Sequence, residues 1–262
     1  MTAILQKTVP YNPLAEVKLP GIQPLPAEGW LAADDAFAGQ MAEREHLLSA
    51  RREAVLQLAP GAMAAAQELL ELALNGIDPG AVTVAARADG RRVAVDRQDP
   101  LGTLGRLTQQ DFCLLQKPEG AAEHVLTGAV LCFPASWTLA EKFMRPLTGI
   151  HQPVDSYGSD VAARVQRLFD GVQAGRPLWR FNALWYQDPA LFQPRSQFAP
   201  RDKSHGSRAG YLRTEKQMIL RLPQTRAVVF AIHTRVVARA DVLRQWGAPD
   251  GMQTGVPAGT PA

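Results

Sequence analysis

Cysteine is nearly absent from this 262-residue chain, which contains only Cys113 and Cys132. The two are not arranged as C-x-x-C, so a structural zinc site or an iron–sulfur cluster held by this chain is nearly excluded. Cys132 lies in an apolar segment beside Leu131 and Phe133. There we expect a small buried side chain rather than a thiolate ligand or a nucleophile.

A charge excess and a long apolar run are also missing. Lys and Arg total 28 against 25 Asp and Glu, a net charge of +3 with no basic run, so nucleic acid is not indicated as a partner. No apolar segment approaches the ~18 residues that cross a bilayer. The segment after Met1 lacks the pattern of a signal peptide. We therefore expect a cytoplasmic protein that does not contact membranes.

Common catalytic and nucleotide-binding motifs do not occur either. There is no G-x-G-x-x-G after a predicted strand, no G-x-x-x-x-G-K-[ST] and no G-x-S-x-G, so neither nucleotide binding nor a hydrolase serine is supported. Ser136 is expected in a turn or cap. None of His124, His151, His205 and His233 has the i,i+4 spacing of a helical metal pair. A three-histidine site assembled in space stays open.

The elements that are present begin with a proline-rich arm over residues 1–30, which we predict to be mostly extended. Apolar periodicity then predicts one helix up to Pro60 and a second over residues 62–74. Residues 77–100 alternate in valine around Asp89-Gly90, which predicts a hairpin.

Strand patterns dominate the second half of the chain. Strands are predicted over 112–116, 124–133, 178–186, 211–220 and 227–237, with helices over 138–144 and 159–172. Helices followed by strands, with one helical segment between them, predict the α+β class with a mainly antiparallel sheet. We expect one domain over residues 31–246, a lid or partner-binding loop over 193–208 and a disordered tail over 247–262.

His151 stands in the segment G-I-H-Q-P-V, where Gly149 and Pro153 restrict the chain. Two interpretations stay open for this residue. It can order a turn through hydrogen bonds, or it can serve as an axial ligand, because neutral imidazole is a good donor to iron.

Two predicted strands carry polar side chains at alternate positions, Arg180 with Asn182 and Arg213 with Glu215. Residues i and i+2 of a strand point to the same face, so each pair shares one face of the sheet. One interpretation is an exposed ion pair worth ~0–1 kcal/mol. The other is a polarised pocket, in which Arg213 donates to an anionic ligand and Glu215 takes a cation or a proton.

Five segments in register resemble the haem-dependent oxidative N-demethylase family, in its haem-binding α subunit. They are L-C-F-P-A-S-W-T-L-A-E-K (131–142), I-H-Q-P-V (150–154), W-R-F-N (179–182), L-R-T-E-K-Q (212–217) and R-L-P-Q-T-R-A-V-V-F-A-I-H-T (221–234). The resemblance covers roughly residues 14–240. It implies a haem-binding, PAS-like and mainly antiparallel sheet with N-terminal helices packed on it.

The resemblance also implies an activity. Characterised members oxidise a small secondary amine such as dimethylamine with O₂, giving formaldehyde and the shorter amine. Electrons come from NADPH through a reductase partner with FMN and an iron–sulfur cluster, and a tetrahydrofolate-binding partner captures the formaldehyde. The alternatives are a haem-binding PAS-type sensor of a gas or an amine that does not turn over, and a binding module that has lost haem.

Matched residue by residue, the resemblance makes His151 the axial ligand of a haem b iron. It places Arg213 and Glu215 on the catalytic side, where Arg213 would stabilise negative charge developing on dioxygen and Glu215 would hold a dialkylammonium. Lys216 and Arg226 stand where the family is expected to have Arg and Gly, so the amine specificity stays open. Candidates for further contacts to haem are Arg145, Arg164, Arg180 and Asn182.

Overall fold

The computed structural model describes residues 3–15, 21–26, 29–151, 159–196, 198–199 and 209–247. The side chains of residues 151 and 159–162 lie outside this description. Of the predicted tail, only Gly247 is described, and residues 197 and 200–208 of the predicted loop lie outside the described part.

The first 110 residues are mainly helical, with short strands between the helices. The helices are α1 (Phe37–Ala50), α2 (Arg52–Val55), α3 (Met63–Ile77) and α4 (Pro100–Leu107), with a 3-10 turn at Pro60–Ala62. The strands are β1 (Gln23–Pro24), β2 (Leu56–Leu58), β3 (Val84–Ala86) and β4 (Arg92–Ala94).

The second part contains the long strands. In chain order the elements are β5 (Asp111–Gln116), β6 (Val125–Val130), α5 (Leu139–Lys142), α6 (Leu147–His151), α7 (Ser159–Gly171), β7 (Leu178–Tyr186), β8 (Tyr211–Arg221), β9 (Val228–Ala238) and α8 (Arg239–Trp246). Seven strands form one sheet in the order β1-β7-β8-β9-β5-β6-β2, with antiparallel pairing between neighbours. The predicted α+β class with a mainly antiparallel sheet is confirmed.

Each face of the sheet carries its own apolar core, because alternate strand residues point to opposite faces. On the face that we call the α1 face, residues of α1, α3 and α4 pack with Phe112 and Met218. On the opposite face, which we call the α7 face, residues of α5, α6 and α7 pack with Ile219 and Ile232. Among the described helices, none combines the length and apolar character needed to cross a lipid bilayer.

The prediction of one helix up to Pro60 is wrong, since α1 ends at Ala50 and Leu56–Leu58 forms strand β2. Strand β2 pairs with the edge of β6, with Leu58 opposite Gly128. A Cβ at Gly128 would lie 2.7 Å from Leu58 Cδ1, so glycine permits this close approach. Backbone hydrogen bonds to a distant strand outweigh the local helical pattern.

The hairpin predicted at Asp89-Gly90 is confirmed, because β3 and β4 pair around it and Gly90 has a φ of +82°. The second predicted helix runs past Asn75-Gly76 to Ile77. Helix α4 lies where no helix is predicted, although Asp99 accepts a hydrogen bond from Gly102 N and Pro100 is the first helical residue. Both are typical features of a helix start.

Candidate functional site

The polar residues of β7 and β8 meet on the α7 face. The strand register places Asn182 opposite Glu215 and Arg180 opposite Gln217. Arg213, Glu215 and Gln217 alternate along β8 with the same phase as Ile219, which belongs to the core of the α7 face. The structure therefore brings together the two polar pairs that the sequence places on separate strands.

Glu215 is the acidic centre of this group, and its side chain is 13% exposed. Asn182 Nδ2 lies 3.4 Å and Gln217 Nε2 3.3 Å from Glu215 Oε2. Arg213 Nε lies 3.6 Å from Oε1. Two amides and a cation thus orient the carboxylate. Because Oε1 is 3.6 Å from Arg213 Nε, it can still accept a shorter hydrogen bond from a ligand.

The side chain of Arg213 donates its hydrogen bonds mainly to backbone carbonyl oxygens. Its Nη1 donates to Leu191 O at 3.0 Å and its Nη2 to Phe133 O at 2.6 Å. Both contacts are buried, and they tie the segments after β6 and after β7 to strand β8. Only Nε is directed at Glu215, so the guanidinium serves mainly to hold the site together and secondarily to balance its charge.

Several polar atoms around Glu215 have no hydrogen-bond partner among the described residues. They are Arg180 Nε, Arg213 Nε and Thr234 Oγ1, all buried, and Thr234 is opposite Glu215 in the pairing of β8 with β9. An unsatisfied buried polar atom costs about 1–3 kcal/mol, so it requires an explanation. A ligand with acceptor atoms, seated on this part of the α7 face, would supply the missing partners.

The family model described as "Haem-dependent oxidative N-demethylase, alpha subunit-like" matches residues 21–257, nearly the whole chain. The chain belongs to this family. The resemblance inferred from the five sequence segments is thereby confirmed. The family description names haem dependence and an alpha subunit, which implies haem as the cofactor and other subunits as partners.

The described residues fit the haem of an oxidative N-demethylase alpha subunit in one specific respect. Burial lowers the pKa of Arg180, and the described part of the chain gives it no carboxylate partner. Arg180 is half-buried, and a cation that is partly removed from water without a counter-ion is unfavourable. A propionate would provide the anion that this guanidinium lacks.

His151 is the last residue of α6, and its side chain lies outside the described residues. The helix itself is on the α7 face, because Leu147 belongs to that core and Ile150 packs against it. The candidate iron ligand and the polar residues around Glu215 therefore lie on elements of the same face of the sheet. We call these residues the Glu215 group: Arg180, Asn182, Arg213, Glu215, Gln217 and Thr234. The role of His151 in this N-demethylase family member stays a prediction.

Arg145 lies apart from the other candidates. It is exposed and stands between α5 and α6, where its carbonyl oxygen accepts from Leu126 N of β6. Glu215 is on β8, and strands β9 and β5 separate β8 from β6, which is three strand spacings or about 14 Å. The structure does not bring Arg145 into contact with the Glu215 group.

Tyr186 is a site residue that sequence reasoning missed. It continues the alternate series of Arg180 and Asn182 along β7, and its hydroxyl is hydrogen-bonded to Ser136. The pKa of Tyr186 is raised, mainly by burial. Arg213 opposes this effect and Glu215 adds to it. Gln217 and Thr234 were missed as well, although both lie in the segments that carry the family resemblance. Extending the i,i+2 spacing along each strand finds Tyr186 and Gln217.

Cys132 and His233 have structural roles. Cys132 is fully buried, as predicted, and burial, opposed by Arg44, raises the pKa of its thiol to about 12. His233 is on the α1 face, where it pairs opposite Lys216 and forms a hydrogen bond with Asp34. His205 lies outside the described residues. Within the described ranges, no group of three or more His, Cys, Asp or Glu could hold a metal ion.

Proposed function

We propose that this chain is the haem-binding subunit of an oxidative N-demethylase, with the ligand site on the α7 face at β7 and β8. The observation that supports the proposal is the Glu215 group. Its carboxylate is largely buried and lies beside buried donor atoms that lack hydrogen-bond partners among the described residues. Strands β7, β8 and β9 lie beside β5 and β6, with α5–α7 connecting β6 to β7 across one face. This arrangement supports the PAS-like fold and the single domain over residues 31–246 that the sequence suggests.

In this proposal His151 would hold the iron of haem b through its imidazole, and Arg180 would pair with a propionate. Bound haem supplies the iron at which dioxygen is reduced and activated. Asn182 holds Glu215 through its amide, and Arg213 keeps the surrounding loops fixed through Phe133 and Leu191. The apolar residues of the α7 face exclude water from the reacting groups.

Glu215 provides the recognition of the amine. A small secondary amine such as dimethylamine is a cation at neutral pH, and a carboxylate lowers the cost of removing that cation from water. The Oε1 atom accepts an N–H hydrogen bond from the ammonium and can take its proton before the amine is oxidised. The amine, O₂, two electrons and two protons then give formaldehyde, the shorter amine and one water.

The electrons must come from another protein in this scheme. We propose a reductase partner that uses NADPH, FMN and an iron–sulfur cluster, since this chain has only two cysteines. The alpha-subunit description of the family supports such a partner. Formaldehyde is reactive, so a tetrahydrofolate-binding partner would take it up on release.

The first test is the absorption spectrum of the full chain purified with haem supplied. We expect a Soret band that shifts on addition of dimethylamine, and formaldehyde release when a chemical reductant and O₂ are present. No Soret band after haem reconstitution would disprove the proposal. A Soret band that responds to the amine without any formaldehyde would instead support the alternative, a haem-binding sensor.

The second test identifies the histidine that holds the haem iron. His151→Ala is expected to lose or shift the Soret band, because the iron loses a nitrogen donor. His46→Ala is the matched control, since His46 is exposed on α1, and its spectrum should remain that of the wild type. An unchanged spectrum for His151→Ala would assign the axial ligand to another residue.

A further inference from the structure

A concave site lies at the end of the sheet away from Glu215, where the β5–β6 and β8–β9 turns approach the end of α7. It is an open cleft of about 350 Å³. Its charged and titratable lining side chains are Lys117, His124, Asp170, Arg221 and Arg226. From Glu215 to Arg221 is six residues along β8, about 20 Å of strand, so this cleft is separate from the proposed haem site.

The cleft has an excess of positive charge. Lys117, Arg221 and Arg226 are cations, while Asp170 is the one carboxylate among the described residues of the lining. Asp170 is already paired with Lys117, with Oδ1 2.9 Å from Nζ. The neighbouring carboxylate of Glu68 does not line the cleft, and it accepts hydrogen bonds from Gln224 N, Thr225 N and Thr225 Oγ1.

Arg221 and Arg226 have no ion-pair partner in the described part of the chain, so their charges are not neutralised. Arg221 donates to the carbonyl oxygens of Phe169 and Val172 at the end of α7 and to Arg226 O. Burial and the neighbouring Arg226 lower the pKa of Arg221, against an opposite effect of Asp170. Crowded cations of this kind are stabilised when an anion binds between them.

The backbone also holds Arg226 in a specific place. Its φ is +61°, the left-handed region that residues with a Cβ rarely adopt. The three hydrogen bonds to Glu68 fix the two preceding residues, and the hydrogen bond from Arg221 fixes the carbonyl of Arg226 itself. A strained conformation that its neighbours enforce is found more often at functional sites than elsewhere.

We propose that this cleft binds a soluble molecule through a phosphate group. Three cations against one carboxylate leave two positive charges, which match a phosphate of about −1.5 to −2 at neutral pH better than a single carboxylate. Arg226 and Arg221 supply guanidinium charge, and Lys117 exchanges its bond to Asp170 for one to the phosphate. His124 Nδ1 accepts from Gln166 Nε2 at 2.9 Å, so its Nε2 carries a proton that it can donate.

The test is a calorimetric titration of the full chain with inorganic phosphate and with pyrophosphate at constant ionic strength. We expect saturable binding with a Kd of about 1 mM or tighter. Arg226→Ala should weaken it about tenfold, as for the loss of one charged hydrogen bond, whereas Arg226→Lys should retain part of the affinity. Arg244→Ala is the matched control, because Arg244 is exposed on α8 at the other end of β9.

Three results would overturn the proposal: no saturable phosphate binding up to about 10 mM, equal binding of acetate, or equal loss in the Arg226 and Arg244 variants. Because Arg226 is exposed, Arg226→Ala is expected to fold, and unchanged circular dichroism verifies this. The haem spectrum of Arg226→Ala should equal that of the wild type. A failure here therefore leaves the proposed haem site unaffected, and the reverse also holds.

Discussion

Arg213 Nη2 lies 2.6 Å from the carbonyl oxygen of Phe133, and both atoms are buried. The backbone N–H of Phe133 donates to Asp111 Oδ2 at 2.9 Å, and Asp111 Oδ1 lies 2.6 Å from Arg44 Nη1. A chain of hydrogen bonds thus runs from Arg44 of α1 to Arg213, whose Nε lies 3.6 Å from Glu215 Oε1. It connects the stability of the N-terminal helices with the geometry of the proposed site.

Arg213→Lys is expected to destabilise the protein although it keeps the charge. A lysine cannot donate to Leu191 O and Phe133 O from a planar fork, so two charged hydrogen bonds are weakened, at about 1.5–3 kcal/mol each. Urea denaturation should show a loss of about 3 kcal/mol. Stability equal to the wild type would contradict the clamping role derived from the structure.

Glu215→Gln is expected to weaken amine binding while haem content persists. The glutamine retains an oxygen that Asn182 can donate to, but it lacks the negative charge that holds an ammonium. The apparent Kd for dimethylamine, from the shift of the Soret band, should rise about 10- to 100-fold. Glu53→Gln, at an exposed position of α2, is the control and should titrate as the wild type does. An amine titration of Glu215→Gln that matches the wild type would reduce Glu215 to a structural ion pair.

Asp111→Ala is expected to be among the most destabilising substitutions in the chain. It leaves Arg44, which is fully buried, without its carboxylate, and it also removes the acceptor for Cys132 N and Phe133 N. Breaking a buried ion pair on one side costs about 3–5 kcal/mol. Glu71→Ala breaks the exposed pair with Arg97 and should cost less than about 1 kcal/mol. Similar losses of unfolding free energy in the two variants would refute the distinction between the buried and the exposed ion pair.

The protein is expected to lose stability as the pH falls below about 6.5. Gln110 Nε2 donates to Ala32 O and to His233 Nδ1, each at 2.8 Å, so the proton of neutral His233 is on Nε2, 2.9 Å from Asp34 Oδ2. Burial lowers the pKa of His233 despite the raising effect of Asp34. Unfolded His233 binds a proton at a pH where folded His233 does not, so the free energy of unfolding decreases with falling pH.

The slope for one such histidine reaches about 1.4 kcal/mol per pH unit. Urea denaturation at pH 7.5 and 5.0 measures it, and His233→Asn should reduce the slope. Burial also lowers the pKa of His124, so some slope should remain in that variant. His46→Asn, at an exposed position, is the control. An equal slope in wild type and His233→Asn would exclude His233 as the source.

Both cysteines are expected to resist thiol reagents in the folded protein. Cys113 and Cys132 are buried, and burial is the main cause that raises the pKa of each thiol. The reactive thiolate is therefore scarce and inaccessible. A colorimetric thiol assay should detect labelling only after denaturation, while an added Ala42→Cys, exposed on α1, should react in the native state. Rapid native labelling without Ala42→Cys would contradict the packing role of Cys132.

The sequence predicts those features that depend on neighbouring residues. The alternation of Arg213 with Glu215 and of Arg180 with Asn182 places each pair on one face of its strand. The Asp89-Gly90 turn needs only a positive φ, which Gly90 supplies. The family follows from five short segments, and the matched model over residues 21–257 confirms it.

Strand partners, in contrast, depend on contacts between residues far apart in the chain. Leu56–Leu58 continues a helical pattern locally, yet it joins β6 because its backbone finds hydrogen-bond partners there. The register of β7 with β8 sets Asn182 against Glu215, and no spacing along the sequence contains that information. Thr234 enters the group only through the pairing of β9 with β8.

The sequence alone therefore determined the α+β class, the family and the polar pairs, since these follow from periodicity and from short motifs. The tertiary structure alone decided that the pairs meet around one carboxylate, that Arg213 is a clamp for Phe133 and Leu191, and that Arg145 lies elsewhere. The physical reason is that burial, hydrogen-bond partners and electrostatic environment belong to pairs of residues brought together by folding, not to the residues themselves.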